Sequence, residues 1–371
     1  MKLTINPSEI SSTLRKAERV VSTKNLIAIL DNFLVDVKND NKMVLTAFDN
    51  EILVNVTLPI VASDGEFKFC VNAKKFSQII AGINGELTIE LDGNSTLVGK
   101  HKKGKFNLSY INGDEYPISE IKPEHKMLFT KVGIVSNVLS DVSYAVSNDA
   151  LHPTLTGVYF DFKDSGFTGV ATDTRMMICE TINGGDYSSM PSIIIPTKAA
   201  MTIRTFIEQV NGDDDIAIYN DESVVKIKLD ERWEIVFRQI NGRFPAYERV
   251  IPTNNDKKAV INRKDFLESL ARIVLFAPTM SPVVRLHFTP TMVEMTTQDL
   301  DYNMSSTENV DCTFDGSDFT IGFNATALQT ILSNFQSDEI QVLLSEPTRA
   351  AIIHPNDNNI LALVMPMMIE N

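Results

Sequence analysis

Apolar residues along this chain switch between two periods, and the switch recurs. Phe67-Lys-Phe-Cys-Val runs into Asn72-Ala-Lys-Lys-Phe-Ser-Gln-Ile-Ile, Ile193-Ile-Ile-Pro into Thr197-Lys-Ala-Ala-Met-Thr-Ile-Arg-Thr-Phe, and Phe319-Thr-Ile-Gly-Phe into Asn324-Ala-Thr-Ala-Leu-Gln-Thr-Ile-Leu. Each predicts a short strand, a small or polar residue, and then a short helix with apolar residues on one face, followed by further strands. A second set starts at Leu3-Thr-Ile-Asn-Pro-Ser-Glu-Ile, Leu128-Phe-Thr-Lys-Val-Gly-Ile and Ala259-Val-Ile-Asn-Arg-Lys-Asp-Phe. The period is about 125 residues, so the chain divides into three equivalent domains, each two copies of a strand, a helix and more strands.

Turn chemistry marks where the first two repeats end. Ile111-Asn-Gly-Asp-Glu-Tyr-Pro and Ile240-Asn-Gly-Arg-Phe-Pro combine Asn-Gly, which supplies a positive backbone angle, with a proline that stops the strand. The predicted architecture is α+β, with domains 1–124, 125–253 and 254–371. Polar, proline-bearing stretches near Lys122 to Lys126 and Pro252 to Lys257 form the boundaries.

With 371 residues, 43% of them hydrophobic, the chain can bury several ordinary cores. The start lacks the apolar stretch of a signal peptide. The run Leu361 to Ile369 is interrupted by Pro366 and falls short of the roughly 20 residues of a membrane span, so a cytoplasmic protein without membrane contact is expected. Cys70, Cys179 and Cys312 are widely spaced and odd in number. None of His101, His125, His152, His287 or His354 stands in a ligand-spaced pair, so neither metal nor cofactor is expected.

A net charge of −14 argues against nucleic acid, yet its distribution reverses the argument. The predicted helices Ser8 to Lys24 and Lys74 to Ala81 carry +2 each, and Thr197 to Val210 and Arg263 to Ala277 carry +1 each. Lys131 to Ser147 and Asn324 to Phe335 are neutral, so the helices total +6 and the remainder −20. No predicted helix is net negative, which favours a common basic face over incidental solvation.

Candidate catalytic chemistry is thin. Asp49, Asp173 and Asp299 follow equivalent apolar strands in the three repeats, which suits turn caps better than one carboxylate cluster. No phosphate loop, nucleophile elbow or zinc helix motif occurs. Asp213-Asp-Asp reads as a solvated turn. The run Lys100-His-Lys-Lys-Gly-Lys105 reads as a hairpin tip that either protects a sheet edge or touches phosphate. The Met-rich end, Leu361 to Ile369, is either a terminal core strand or a surface for apolar partners.

Phe244-Pro-Ala-Tyr-Glu-Arg-Val-Ile-Pro252, Ala171-Thr-Asp-Thr-Arg175, Ile321-Gly-Phe-Asn324 and Val364-Met-Pro-Met367, with the looser Ile29-Leu-Asp-Asn-Phe-Leu and Lys74-Lys-Phe, resemble the bacterial replicative sliding clamps, the β subunits of DNA polymerase III. The resemblance runs the whole length. It implies a non-enzymatic, head-to-tail homodimeric ring around duplex DNA, with helices inside and antiparallel sheets outside. Geometry agrees. Six helices at about 9.5 Å spacing close a circle of roughly 18 Å, too narrow once a helix diameter of about 10 Å is subtracted, whereas twelve give about 36 Å.

By the same resemblance, a replicative polymerase, a clamp loader and repair proteins dock linear peptides on Leu155, Thr172, Thr174, Arg175, Met176, Pro245, Arg249, Val250, Leu363, Met365, Pro366 and Met367. The family commonly reads Thr-Asp-Gly-His-Arg-Leu where this chain has the shorter Thr172 to Met176. It has aromatic residues where this chain has Pro153 and Thr154. Sequence-independent DNA contacts are expected from Arg15, Arg19, Lys24, Lys74, Lys75, Lys198 and Arg204. The apolar stripe Phe76, Ile79, Ile80 and the run containing Ile273, Leu275 and Phe276 are expected to form the dimer interface. Two other readings are a peptide-binding hub that does not encircle DNA and an enzyme on a triplicated scaffold.

Overall fold

The computed structural model describes residues 1–21, 27–118, 126–208, 210–221, 223–355 and 359–369. Lys24, His125 and most of the first expected boundary lie outside these. Among the described residues there are six α-helices, each directly after a strand: α1 (Pro7–Glu18), α2 (Ala73–Ala81), α3 (Val132–Val142), α4 (Thr197–Ile207), α5 (Arg263–Ile273) and α6 (Ala325–Asn334). Asparagine precedes four of them, and at three its side chain caps the helix. The side chains of Asn72, Asn262 and Asn324 accept the backbone N–H three residues on, which satisfies one of the orphan donors of the first turn.

The apolar face of each helix repeats at 3.6-residue spacing. Buried positions are Ile10, Thr13, Leu14 and Ala17 on α1, Ala73, Phe76, Ser77 and Ile80 on α2, and Phe266, Ser269, Leu270 and Ile273 on α5. Helix α1 packs on α2 and α5 on α6. Phe33, Phe69, Phe160, Phe237, Phe288 and Phe323 fill the space against the sheets.

Contacts divide the chain into two units, Met1–Ser136 with Met201–Gln239, and Asn137–Ala200 with Ile240–Asn371. Each holds one 13-stranded sheet, antiparallel at every pairing between its described residues. The central repeat is shared because its strands pair edge to edge with those of its neighbours. In the first unit, Trp233–Arg238 lies beside Ile52–Pro59, with Phe237 opposite Ile52 and Trp233 opposite Val56. In the second, Ile360–Val364 lies beside Met176–Asn183, with Val364 opposite Met176 and Ile360 opposite Glu180. At both junctions the third strand after the first helix of one repeat meets the third strand after the second helix of the following repeat.

Two strands of these classes remain. Gly104–Asn112 is bonded along Gly104–Ser109 to Thr96–His101 on one side only, and at its far end to Phe67–Asn72. Met304–Phe314 is bonded along Met304–Asp311 to Met292–Asp299 on one side only, and at its far end to Lys257–Asn262. Among the described residues no strand covers the other edge of either segment.

Candidate functional site

The repeated aspartates are turn caps. Asp49 accepts the N–H groups of Glu51 and Ile52 at 3.0 and 2.8 Å, Asp173 those of Arg175 and Met176 at 2.9 and 2.8 Å, and Asp299 those of Asp301 and Tyr302 at 3.0 and 3.3 Å. All three carboxylates are thus engaged by backbone at equivalent places. The cysteines are unpaired, and burial pushes the Cys70 and Cys179 thiols up to about 12, so they stay protonated at neutral pH.

The docking residues expected from sequence meet in the second unit. Met176 and Met177 stand opposite Val364 and Leu363, and the Met365 N–H donates to the Arg175 carbonyl at 2.8 Å, carrying the ladder past the strand end. Leu155, Met177, Leu363, Phe244 and Tyr247 share one apolar cluster. Leu155 arrives through the 3₁₀ turn Pro153–Leu155, and the carbonyl of Ile195 lies so close to Gly157 that a Cβ there would meet it at 2.5 Å. Leu155, Met176 and Leu363 are 5%, 7% and 3% exposed, so they support the surface rather than offer it. The surface itself is made by Thr174, Arg175, Pro245, Arg249, Val250 and Met365, all exposed, with Thr172, Pro366 and Met367 half-buried.

The shorter turn is closed by its own side chains. Thr172 Oγ1 donates to the Met176 carbonyl at 2.7 Å and accepts the Thr174 N–H at 3.1 Å. Thr174 has φ 76°, a left-handed conformation costly for a β-branched residue and one that glycine, the family's usual choice, adopts freely.

The Met-rich end combines both sequence readings. Ala362, Leu363 and Val364 are buried, whereas Met365 and Met368 are 44% and 91% exposed. Between those two, Pro366 and Met367 pair with Phe323 and Gly322, and a Cβ on Gly322 would sit 2.4 Å from the Ile369 side chain. Residues 365–369 are therefore a strap held at the Arg175 carbonyl and on the strand Phe319–Asn324.

The basic residues differ in how far they reach into solvent. Arg15, Arg19, Lys74, Lys75, Lys198 and Arg204 are exposed. Lys16 donates to the Thr205 carbonyl at 2.9 Å and lies 3.6 Å from Glu208, and Arg272 holds Glu308 through two contacts of 2.8 Å. The helices end earlier than the sequence suggests, and this corrects the charge balance. Over the observed spans α2 and α4 carry +2 each, α5 +1, α1 and α6 zero and α3 −1, giving +4. Lys131, counted with α3 from sequence, lies in the preceding strand, where it meets Asp215 at 2.6 Å.

The expected interface residues also need correcting. Phe76, Ile80 and Ile273 are 1%, 0% and 0% exposed. They belong to the buried stripes of α2 and α5 and have no surface to give, because a helix this short needs its whole apolar face for the helix and sheet it packs on. Ile79 is half-buried, and only Leu275 and Phe276, at 75% and 38%, are open. Sequence reading also missed Leu151, 85% exposed at the tip of a loop closed by Asp149 and His152, and the open strand edges, which no local pattern announces.

Known proteins resolve the family. Profiles of the DNA polymerase III beta subunit match the chain at residues 1–120 for the N-terminal domain, 131–246 for the central domain and 248–368 for the C-terminal domain. The chain belongs to the DNA polymerase III β-subunit family. Its three clamp domains are thereby those of a sliding-clamp protein. The beta sliding clamp of Staphylococcus epidermidis is 24% identical, with 99% of each chain covered. Solved clamps of Pseudomonas aeruginosa and Bartonella birtlesii, both bound to griselimycin, superpose with TM-scores of 0.93 and 0.92 over 100% of each chain, at 20% and 25% identity. No helix among the described residues of this family member is long and apolar enough to cross a membrane.

Proposed function

We propose that this chain closes, as a head-to-tail homodimer, a ring around duplex DNA, working in the cytoplasm as a non-catalytic tether for a replicative polymerase, a clamp loader and repair proteins. The observation that carries the proposal is the pair of strands left over by the junction rule. Third strands after the first helix pair with third strands after the second helix at both internal junctions, and Met304–Phe314 and Gly104–Asn112 are the one unused member of each class. A heterologous contact between them, repeated once, closes the assembly and leaves neither of these two strands with an open edge.

Internal equivalence also supplies a register. The aspartate turns equate Ile52 with Tyr302, and the Ile-Asn-Gly turns equate Phe237 with Leu108. The observed pairing of Ile52 with Phe237 therefore carries over to Leu108 opposite Tyr302 of the partner subunit. Phe106 then faces Met304 of the partner subunit, and the Lys102 and Lys103 hairpin tip comes to Glu308 of the partner subunit. Edge protection and charge complementarity thus account for the basic hairpin without DNA contact.

The exposed cations of α1, α2 and α4 would attract phosphate without base readout, which allows sliding, while the acidic remainder disfavours unthreaded DNA. The surface around Thr174, Arg175, Pro245, Arg249, Val250 and Met365 is read as the docking site for short apolar peptides, and the griselimycin bound by two family members supports a ligand-accepting surface on clamps of this fold. Retention on nicked circular DNA, lost on linearisation, is the deciding measurement. Equal release from circular and linear DNA would leave the hub that does not encircle DNA.

A further inference from the structure

We infer that Asp161 and Lys163, which lie outside the docking surface, act through Tyr247 as positioning residues for the turn that presents Arg249 and Val250. The inference rests on the reading of that surface as a docking site.

The segment after Phe244 is held at two points. The Phe244 ring stacks on Tyr159 with centroids 4.5 Å apart and planes within 7°. Tyr247, only 8% exposed, donates its hydroxyl to Asp161 Oδ2 at 2.9 Å. The other Asp161 oxygen accepts from Ser192 at 3.1 Å and Tyr159 at 3.4 Å. Lys163 Nζ completes the set at 3.2 Å from the Asp161 carboxylate, 3.3 Å from the Tyr247 hydroxyl and 2.5 Å from Glu248. One cation is thereby shared by a carboxylate on the sheet and one on the turn.

Packing holds the turn at Tyr247 and again at the half-buried Ile251, and leaves the residues between them open. Glu248, Arg249 and Val250 are exposed, and a groove of about 280 Å³ opens between Tyr247, Glu248 and Ile251 and the sheet residues Cys179, Thr181 and Leu361. A turn with open space beside it keeps its place through directional bonds rather than contact area. Where Val250 and Arg249 stand is therefore set by the hydroxyl of Tyr247 and the ion pairs around it. The hydroxyl is held neutral: burial first, then its bond to Asp161, raise its pKa well above the usual tyrosine range.

The test uses the full chain, with griselimycin as probe and three conservative variants. Tyr247→Phe keeps the edge-on ring contact with Tyr159 and removes only the hydroxyl, Lys163→Met keeps the stem, and Asp161→Asn keeps an acceptor where Asp161→Ala does not. Expected is a loss of affinity of about tenfold for Tyr247→Phe and Lys163→Met, with sedimentation unchanged and partial rescue of Asp161→Ala by Asp161→Asn. Affinity within about twofold of the unaltered protein in all variants, whatever their melting temperatures, would overturn the inference and make the network purely structural. Failure of the unaltered protein to bind overturns the docking reading, and this inference with it.

Discussion

The strands Ile52–Pro59 and Met304–Phe314 hold the same place in the first and third repeats, each entered through an aspartate-capped turn, yet one is covered on both edges and the other along one edge only. Their sequences differ in the way this demands. Ile52, Leu53, Val54 and Val56 are buried, whereas Met304, Ser305, Ser306, Thr307, Glu308 and Asn309 alternate between half-buried and exposed. A covered strand in a continuous sheet tolerates apolar residues on both faces. An edge that waits for a partner carries polar ones that keep the free chain soluble.

The most drastic way to break that contrast is to charge the open edge. Phe106→Asp together with Met304→Asp should give folded monomers by sedimentation, with retention on circular DNA abolished. A dimer surviving both changes places the interface elsewhere. Ile273→Asp is the sharper control, since at 0% exposure it should unfold the second unit rather than dissociate a folded chain.

The second test asks whether closing the edge encloses DNA. Replacing Lys74, Lys75, Lys198 and Arg204 with Ala should flatten the dependence of log retention on log salt by about 0.9 for each phosphate no longer neutralised, equally on all sequences. A sequence-selective loss would mean that these helices read bases.

The covered edge beside Met176 offers a third, smaller effect. Deleting the chain from Met365 removes the bond to Arg175 and the pairing with Gly322 and Phe323 but leaves the Ile360–Val364 ladder. Griselimycin binding should disappear while the melting temperature falls by only a few degrees, and Met365→Ala should cost about 1 to 2 kcal/mol of affinity. Binding that persists after truncation would move the docking site away from the strap.

The smallest effect lies in the turns themselves. Asn50 and Thr174 follow their capping aspartates at φ 77° and 76°. Asparagine tolerates that angle and threonine does not, so Thr174→Asn should raise stability by about 0.5 to 1 kcal/mol in denaturant titration. No gain would mean that the Thr172 and Asp173 bonds already offset the strain.

Repetition made much of this legible in advance. Six strand-to-helix starts and three aspartate turns could be placed because each is written in local periodicity or in turn chemistry, and the family could be named from motifs that resemble it. Side-chain exposure was not. Phe76, Ile80 and Ile273 look like surplus hydrophobicity in one dimension, and only packing showed that each short helix spends its apolar face on its neighbouring helix and sheet. The charge of the helices shrank from +6 to +4 for a related reason, since the point where a helix ends depends on what covers its last turn. The sequence by itself determined the repeat, the elements and the family. Tertiary structure decided which strand edges are used up and which stay open, because edge pairing is a relation between distant segments and leaves no local period in the chain.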